Sequence, residues 1–353
     1  IDHVRNLSGI SLEGFASVNI LYGSNGSGKT SVLEAIHYLG TGRSFRSRIH
    51  KNVIQHEQTA LTVFGATANG MRIGLTREKE KAQLRLNGES VQTASELAAE
   101  LPLAVFDSSL TELIDGPPAE RRSYLDWVLF HVEQKAFISV WRDYQRLLKQ
   151  RNQLLKRGNI SGYEFTTWDA MLASVGEKLY QYRVDVLQNC FTQAEEINKR
   201  FNFGFDELSY SLQRGWSSDS TLLACFEESR ERDSKFKTTT SGPHRLDFKI
   251  KVKHGLAVEV LSRGQLKSLS LMLRMASIAI AAKRSGQEIV LLVDDILGEL
   301  DGVNKERLLA YLCELKSQIF ISCVDKTDVL HALPEAVEAK MFHVEHGKIV
   351  TEN

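Results

Sequence analysis

The spacing of apolar residues changes character several times along the chain. An apolar run at 18–22 leads into a glycine-rich loop, and helical spacing follows at 30–39. From about 59 to 86, single apolar residues alternate with polar ones, and an Asn87-Gly88 turn closes this stretch. The pattern predicts a strand, loop and helix beside an antiparallel sheet, and residues 102–106 predict one further strand.

Two longer stripes have a helical period in the middle of the chain. They cover 137–155 and 168–186, with a predicted loop at 158–162 between them. Each stripe is only about three heptads long, which predicts a short antiparallel helical hairpin rather than a very long coiled coil.

Alternating strand and helix signals return in the last third of the chain. Strands are predicted at 246–250, 288–293 and 318–322, with helices at 265–284 and 304–315. Such alternation is typical of an α/β core, which the hairpin would divide in sequence. We therefore predict three segments, namely the two halves of one head at 1–110 and 237–353 and an inserted helical arm domain at 111–236.

The amino-acid composition narrows the classes of protein that fit the chain, but it does not identify a function. The 353 residues contain 44 Lys and Arg against 44 Asp and Glu, so DNA binding would require local basic patches. The four cysteines lack a metal-binding spacing, which predicts reduced thiols in a cytoplasmic protein. No apolar run is long enough for a membrane span, and no signal peptide is visible. Because the first strand signal is short and Ile1 is not Met, we expect some N-terminal residues to be missing.

The glycine-rich loop matches the phosphate-binding pattern G-x-x-x-x-G-K-[ST]. Glycines let backbone N–H groups turn toward phosphate oxygens, and a lysine adds a point charge for the β- and γ-phosphates. The predicted nucleotide-binding residues are Gly23, Ser24, Asn25, Gly26, Ser27, Gly28, Lys29 and Thr30.

Two aspartates follow the apolar run at 289–293. Asp294 is the expected Mg²⁺ ligand together with the Thr30 hydroxyl, and Asp295 is the expected group that polarises the attacking water. Lys29, Asp294 and Asp295 are thus the predicted catalytic residues. Aspartate is shorter than the glutamate more often found there, so we expect slow hydrolysis that suits a switch.

A third motif resembles the signature loop of ABC-type ATPases. Ser262, Gly264 and Gln265 lie at a predicted helix start, where a hydroxyl and backbone N–H groups form an anion site. Such a loop completes the site of a second subunit, so the three motifs predict an ATP-dependent homodimer. The predicted fold is α/β, a P-loop ABC-type ATPase head with a mixed sheet, an antiparallel β subdomain and an inserted helical arm.

Two basic patches are candidates for DNA contact. One follows the P-loop helix and contains Arg43 and Arg46, with Arg48 and Lys51 nearby. In the other, Arg142, Arg146 and Lys149 share one face of the hairpin helix at positions i, i+4 and i+7. A solvated helix face is the ordinary alternative for such a stripe.

The motifs together closely resemble the bacterial RecF recombination-mediator family. The similar stretches span nearly the whole chain in the family's order, namely 22–36, 41–47, 118–126, 147–152, 242–245, 261–267 and 294–295. The resemblance implies an ATP- and Mg²⁺-dependent protein of recombinational repair that recognises gapped, single-stranded and duplex DNA. It also implies RecR and RecO as partners, help in loading RecA, and support of replication restart and the SOS response. A weak DNA-stimulated ATPase would reset the dimer.

Two departures from related ATPases concern the switch chemistry. Residues 107–109 read Asp-Ser-Ser where a Gln is common, and 322–325 read Ser-Cys-Val-Asp without the usual His. Three alternatives remain, namely the nucleotide-binding subunit of a membrane transporter, a small-molecule P-loop kinase, and a structural chromosome-organising ATPase. A helical hairpin between the P-loop and the signature loop argues against the first, the signature loop itself against the second, and the shortness of the hairpin against the third.

Overall fold

A computed structural model describes residues 1–47, 49–157, 162–315 and 317–350. The chain folds into two compact units, one of residues 1–110 and 286–353 and the other of residues 111–285. Most of the predicted loop at 158–162, together with Arg48, lies outside the described residues.

The first unit contains two sheets and four helices among its described residues. Its strands are β1 Val18–Tyr22, β2 Ala60–Ala66, β3 Arg72–Glu78, β4 Ala82–Leu86, β5 Glu89–Val91, β6 Leu103–Phe106, β10 Val290–Asp294, β11 Ile319–Cys323, β12 Ala339–Glu345 and β13 Lys348–Val350. Its helices are α1 Lys29–Thr41, α2 Ala94–Glu100, α11 Gly302–Glu314 and α12 Lys326–Leu330.

The larger sheet has the strand order β13-β12-β1-β11-β10-β6. All neighbouring pairs are parallel except β12 with β13. Strands β1 and β11 are buried along their whole length, which explains why they are continuous apolar runs rather than alternating ones. Because the strands are parallel, the loops that follow β1, β10 and β11 all leave from one edge of the sheet.

The smaller sheet, β2-β3-β4-β5, is antiparallel as its alternating pattern predicted. Its inward positions, including Leu61, Val63, Ile73 and Leu75, form one buried cluster with Tyr38 of α1. Helix α1 therefore has apolar neighbours from this sheet on one side. Its other side contributes Val32 and Leu33 to a cluster with Leu292 and Phe320 of the parallel sheet.

The second unit is mostly helical. Its helices are α3 Glu112–Asp115, α4 Pro118–Val132, α5 Gln134–Arg157, α6 Gly162–Phe201, α7 Leu222–Glu228, α8 Arg230–Phe236, α9 Ala257–Val260 and α10 Arg263–Ser285. Three strands, β7 Ser209–Gln213, β8 Asp247–Val252 and β9 Gly255–Leu256, form a small antiparallel sheet.

The predicted hairpin is present as α5 and α6. The ring of Phe137 lies 6.4 Å from that of Tyr182, and Arg151 pairs with Asp169, so the two helices run antiparallel. Helix α6 is longer than predicted and continues to Phe201. It packs against α4 and α10 as well as against α5.

The second domain boundary differs from the prediction. We expected residues from 237 onward to belong to the head with the P-loop, but 237–285 cluster with the helical unit. The reason is packing, because β8 pairs with β7 and the apolar side of α10 packs against α6 and α4. Among the described helices, none combines the length and the apolar character needed to cross a membrane.

Candidate nucleotide-binding site

Three strand ends bring the candidate site together in the first unit. The glycine-rich loop follows β1, Asp294 ends β10, and Ser322 lies near the end of β11. In the sheet register, Asp294 faces Ser322, and Leu21 faces Ser322 from the other side. Carboxyl ends of parallel strands are the usual position of ligand sites in α/β sheets, and the order of β1, β11 and β10 supplies such an edge.

The loop depends on glycine at two positions. Gly23 has φ 146°, and a Cβ atom there would lie 2.3 Å from the carbonyl oxygen of Val344. Gly28 has φ 119° and forms the N-terminal boundary of α1, where a Cβ would lie 2.9 Å from the side chain of Leu7. A side chain at either position would force the loop or its neighbours to move, so this loop conformation requires glycine.

Lys29 is buried beneath this loop. Its Nζ donates hydrogen bonds to the carbonyl oxygens of Gly23 and Ser24, at 3.0 and 3.1 Å. Only 3% of the residue is exposed, so the loop backbone fixes the ammonium group inside the turn. A compact positive charge held in this way can bind phosphate oxygens of a nucleotide.

Thr30, Asp294 and Ser322 form a hydrogen-bonded cluster. Thr30 Oγ1 donates to Asp294 Oδ1 at 2.8 Å, and Ser322 Oγ donates to the same oxygen at 2.8 Å. Burial raises the pKa of Asp294, while both hydroxyl hydrogen bonds and the charge of Arg46 oppose the increase. The predicted pair of metal-binding residues is therefore in direct contact.

Asp295 is held by the same serine. Its backbone N–H donates to Ser322 Oγ at 2.9 Å, and Ser322 Oγ lies 3.2 Å from Asp295 Oδ1. Asp295 has φ 52°, a left-handed conformation that is uncommon for residues other than glycine. This backbone turn directs the chain away from the sheet immediately after Asp294, and the side chain of Asp295 is exposed.

The site fits a magnesium ion bound together with a nucleotide. A threonine hydroxyl and one carboxylate are oxygen ligands of the kind Mg²⁺ takes, and phosphate oxygens and water would complete its shell. In the described part of the chain, no group of three or more His, Cys, Asp or Glu side chains could hold a metal by itself. Thr30 and Asp294 would thus hold the ion only in company with the substrate.

The signature residues lie in the second unit, where they start α10. Ser262 N donates to Gln265 Oε1 at 2.9 Å, and Gln265 N donates to Ser262 Oγ at 3.4 Å, which is a capping box. The helix starts at Arg263, two residues earlier than predicted. All four residues from Ser262 to Gln265 are exposed, and no atom lies within 4 Å of a Cβ placed on Gly264.

The two basic patches have different surroundings. The carbonyl of exposed Arg43 accepts a hydrogen bond from His37 Nδ1 at 2.8 Å, and Arg46 is close enough to Asp294 for its charge to lower the pKa of that carboxyl. Arg46 therefore lies toward the nucleotide site. On α5, Arg142 and Lys149 are exposed, while exposed Arg146 pairs with Asp143 at 2.9 Å.

Several supporting residues were missed or underrated in the sequence. Asn6 accepts from Ser31 Oγ at 2.9 Å and donates to the carbonyl of Ser27 at 3.3 Å, so it braces the P-loop. Arg5 makes a two-pronged ion pair with buried Glu34, both contacts at 2.8 Å. Ser322 appeared only as part of a departure from related ATPases. The available signal for Ser322 is a polar residue in a strand that is buried along its whole length.

Comparisons with known proteins agree with this architecture. A family model described as the RecF/RecN/SMC N terminal domain matches residues 1–349. The DNA replication and repair protein RecF of Cellvibrio japonicus (strain Ueda107) is 37% identical, and the match covers 99% of this chain and 97% of that protein. The RecF protein of Pseudomonas aeruginosa (strain LESB58) is 39% identical, with 98% and 95% covered.

Solved structures give the same result at the level of the fold. A structure described as the recombination mediator protein RecF-ATP in the RecFOR pathway matches with a TM-score of 0.87 and 25% identity, covering 100% of this chain and 96% of that one. The Smc head domain from Pyrococcus furiosus matches with a TM-score of 0.55 and 16% identity, covering 99% and 94%, and so shares the fold. The protein thus has the head fold of SMC-like ABC ATPases, and its chain belongs to the RecF family.

Proposed function

We propose that this protein is an ATP-dependent DNA-binding protein of recombinational repair. The observation that carries the proposal is the contact between Thr30 and Asp294 beside a P-loop with buried Lys29. RecF relatives similar over almost the whole chain are named DNA replication and repair proteins, and one solved RecF structure is described as RecF-ATP. These observations support ATP as the nucleotide and Mg²⁺ as its ion.

The residues of the site have separate roles in this proposal. The loop at 23–28 and Lys29 bind and orient the phosphates. Thr30 and Asp294 would hold Mg²⁺, which would neutralise charge on the β- and γ-phosphate oxygens. Asp295 positions a water molecule for attack, and Ser322 keeps both aspartates in place. Because one short carboxylate is the only base proposed, turnover is expected to be slow, well below the roughly 10 per second of a typical enzyme.

We infer that ATP also drives homodimerisation. Ser262, Gly264 and Gln265 are exposed at the N-terminus of a 23-residue helix, whose partial positive charge attracts anions. In the proposed dimer, this end of α10 contacts the γ-phosphate bound to the P-loop of the other copy. Hydrolysis removes that contact and lets the copies separate.

The remaining assignments rest on family membership. They are DNA with single-stranded gaps and adjoining duplex as the ligand, RecO and RecR as partners, help in loading RecA, support of replication restart and the SOS response, and a cytoplasmic location. The α5 patch of Arg142, Arg146 and Lys149, together with Arg43, provides candidate phosphate contacts. The transporter alternative is not favoured, because the similarity to RecF proteins extends over the whole chain.

The deciding experiment measures DNA affinity and molecular mass together. A fluorescent gapped duplex is titrated with the protein, with and without ATP and Mg²⁺, while light scattering follows the mass of the protein. We expect ATP to raise both the affinity and the fraction of dimer. If ATP binds but changes neither quantity, the proposed ATP-dependent clamp is wrong.

A further inference from the structure

An exposed aromatic side chain lies between two lysines in the second unit. Phe236 is 68% exposed, the highest value for a large apolar side chain among the described residues. It ends α8, and both Lys235 and Lys237 beside it are exposed. We call residues 235–237 the α8 tip. A single exposed aromatic ring is common on protein surfaces, but a ring flanked by two exposed lysines has the combination of side chains that binds nucleotides.

The α8 tip is not a loosely attached turn. Asp233, fully buried one turn before it, accepts hydrogen bonds from Arg151 at 2.6 Å, from Ser229 at 3.1 Å and from Thr240 N at 3.0 Å. Lys237 has φ 54° and caps the helix with its backbone N–H. Phe236 therefore projects from a backbone that hydrogen bonds hold in place on both sides.

The segment that follows the α8 tip is hydrogen-bonded to α5, near the end of its basic stripe. Asn152 Oδ1 accepts from both the backbone N–H and the hydroxyl of Thr239, each at 2.7 Å. Asn152 is three residues after Lys149, so the two side chains are neighbours on the surface of α5. The segment that follows Phe236 is thus anchored near Lys149, the last residue of the stripe that also contains Arg142 and Arg146.

We propose that the α8 tip binds unpaired nucleotides, with Phe236 stacking on a base and Lys235 and Lys237 contacting the phosphates beside it. Aromatic rings combined with basic side chains are the recurring means of binding single strands without sequence preference. A fully paired duplex offers phosphates but no free base face. The α8 tip would therefore recognise the single-stranded part of a gapped substrate, while the α5 stripe contacts phosphates generally. This inference rests on the proposed DNA-binding function.

The test compares Phe236 variants on two DNA probes, a duplex with a gap of unpaired thymidines and the same duplex fully paired. Phe236→Ala should weaken binding to the gapped probe roughly tenfold and leave the paired probe within about twofold, since stacking contributes only with free bases. Phe236→Trp should retain the affinity of wild type, and Phe236→Leu should behave like alanine.

Two controls separate stacking from other effects. Phe64→Ala removes a phenylalanine of similar exposure, 61%, from the other unit and should change neither probe. Changing Lys235 and Lys237 to Gln should make the negative slope of log affinity against log salt shallower by about 1.4 on the gapped probe. Thermal unfolding of each variant checks that it folds.

The outcomes also distinguish this inference from the proposed function. If wild type binds the gapped probe and Phe236→Ala binds it equally well, the α8 tip is not a DNA contact, although the proposed function stands. Equal binding by the Leu and Trp variants would exclude stacking. If wild type binds neither probe, with or without ATP, both proposals are wrong.

Discussion

Ser322 donates a hydrogen bond to Asp294 at 2.8 Å, from the middle strand of the three that form the nucleotide site. The same hydroxyl accepts from the backbone N–H of Asp295, and no part of Ser322 is exposed. One small side chain therefore fixes both the expected magnesium ligand and the expected base. Its position on β11, opposite Asp294 in the register, makes this possible.

Replacing Ser322 by Ala should lower the rate of ATP hydrolysis more than the affinity for ATP. We expect kcat to fall roughly 10- to 100-fold, because the loss of one positioning hydrogen bond to each aspartate disturbs catalytic geometry. The KM should stay within about threefold, since Lys29 and the loop still bind the phosphates. Steady-state kinetics over a range of ATP concentrations separate the two constants.

Ser322→Thr is the matched variant, because it keeps the hydroxyl group. It should restore most of the rate if the hydrogen bonds are what matters. An alanine variant with unchanged kcat would show that the aspartates hold their positions without Ser322.

Lys29→Met and Ser262→Arg should block dimerisation at different steps. Lys29→Met removes the buried charge that binds phosphate, so both ATP binding and dimer formation should be lost. Ser262→Arg changes an exposed residue of α10 in the second unit, and should leave ATP binding intact while preventing the dimer. Binding of a fluorescent ATP analogue and light scattering measure the two steps. Normal dimerisation of Ser262→Arg would contradict a site shared between two copies.

The sequence predicted elements better than it predicted how they pack. Helix α1 was expected at 30–39 and occupies Lys29–Thr41, and the strand expected at 318–322 is Ile319–Cys323. These elements have strong local signals, either a glycine loop before a helix or an unbroken apolar run. Helix α10 was also found, but it clusters with the helical unit rather than with the P-loop unit to which the sequence assigned it. Periodicity shows which side of a helix is buried and does not show what buries it.

In the candidate site, too, residues with a local sequence signal were predicted, and residues that depend on packing were not. Lys29 and Thr30 were predicted from the motif spacing and Asp294 from its place after an apolar strand, and the structure brings Thr30 and Asp294 into contact. Ser322 and Asn6 reach the site from elements that are distant in sequence from the P-loop, at β11 and near the N-terminus. Their roles depend on strand order and register, which a single sequence does not contain.

Two glycines of the P-loop should respond differently to alanine. At Gly23 a Cβ would lie 2.3 Å from a backbone oxygen, so Gly23→Ala should displace the loop and abolish nucleotide binding. Gly26 has φ 80° but no atom within 4 Å of an added Cβ. Its alanine variant should have a conformational cost of about 1 kcal/mol and bind ATP within roughly tenfold of wild type. Calorimetric titration with ATP compares the two, and equal binding by both variants would contradict the close approach of Val344.

Arg151 should be essential for the stability of the helical unit. It is fully buried and pairs with Asp169 at 2.7 Å and Asp233 at 2.6 Å. Arg151→Met leaves two buried carboxylates without this partner, which should cost about 3–5 kcal/mol of unfolding free energy. Arg146→Met is the control, since its pair with Asp143 is exposed and should contribute at most about 1 kcal/mol. Urea unfolding measures both, and similar losses in the two variants would contradict the importance of burial.

The stability of the same unit should fall as the solution becomes acidic, partly because of His131. This residue of α4 is 3% exposed, and burial, with the charge of Arg274 as a smaller cause, lowers its pKa to about 4. In the unfolded chain its pKa is about 6.5, so between about pH 6.5 and pH 4 the unfolded state binds a proton that the folded state does not. The free energy of unfolding should therefore decrease by up to about 1.4 kcal/mol per pH unit in this window because of His131 alone.

His131→Phe keeps a ring between Trp127 and Phe130 and removes the titration, so its stability should depend less steeply on pH. Replacing His56, whose side chain is 94% exposed, should leave the wild-type slope unchanged. Urea unfolding at several pH values measures the slopes, and identical slopes for wild type and His131→Phe would show that His131 titrates alike in both states.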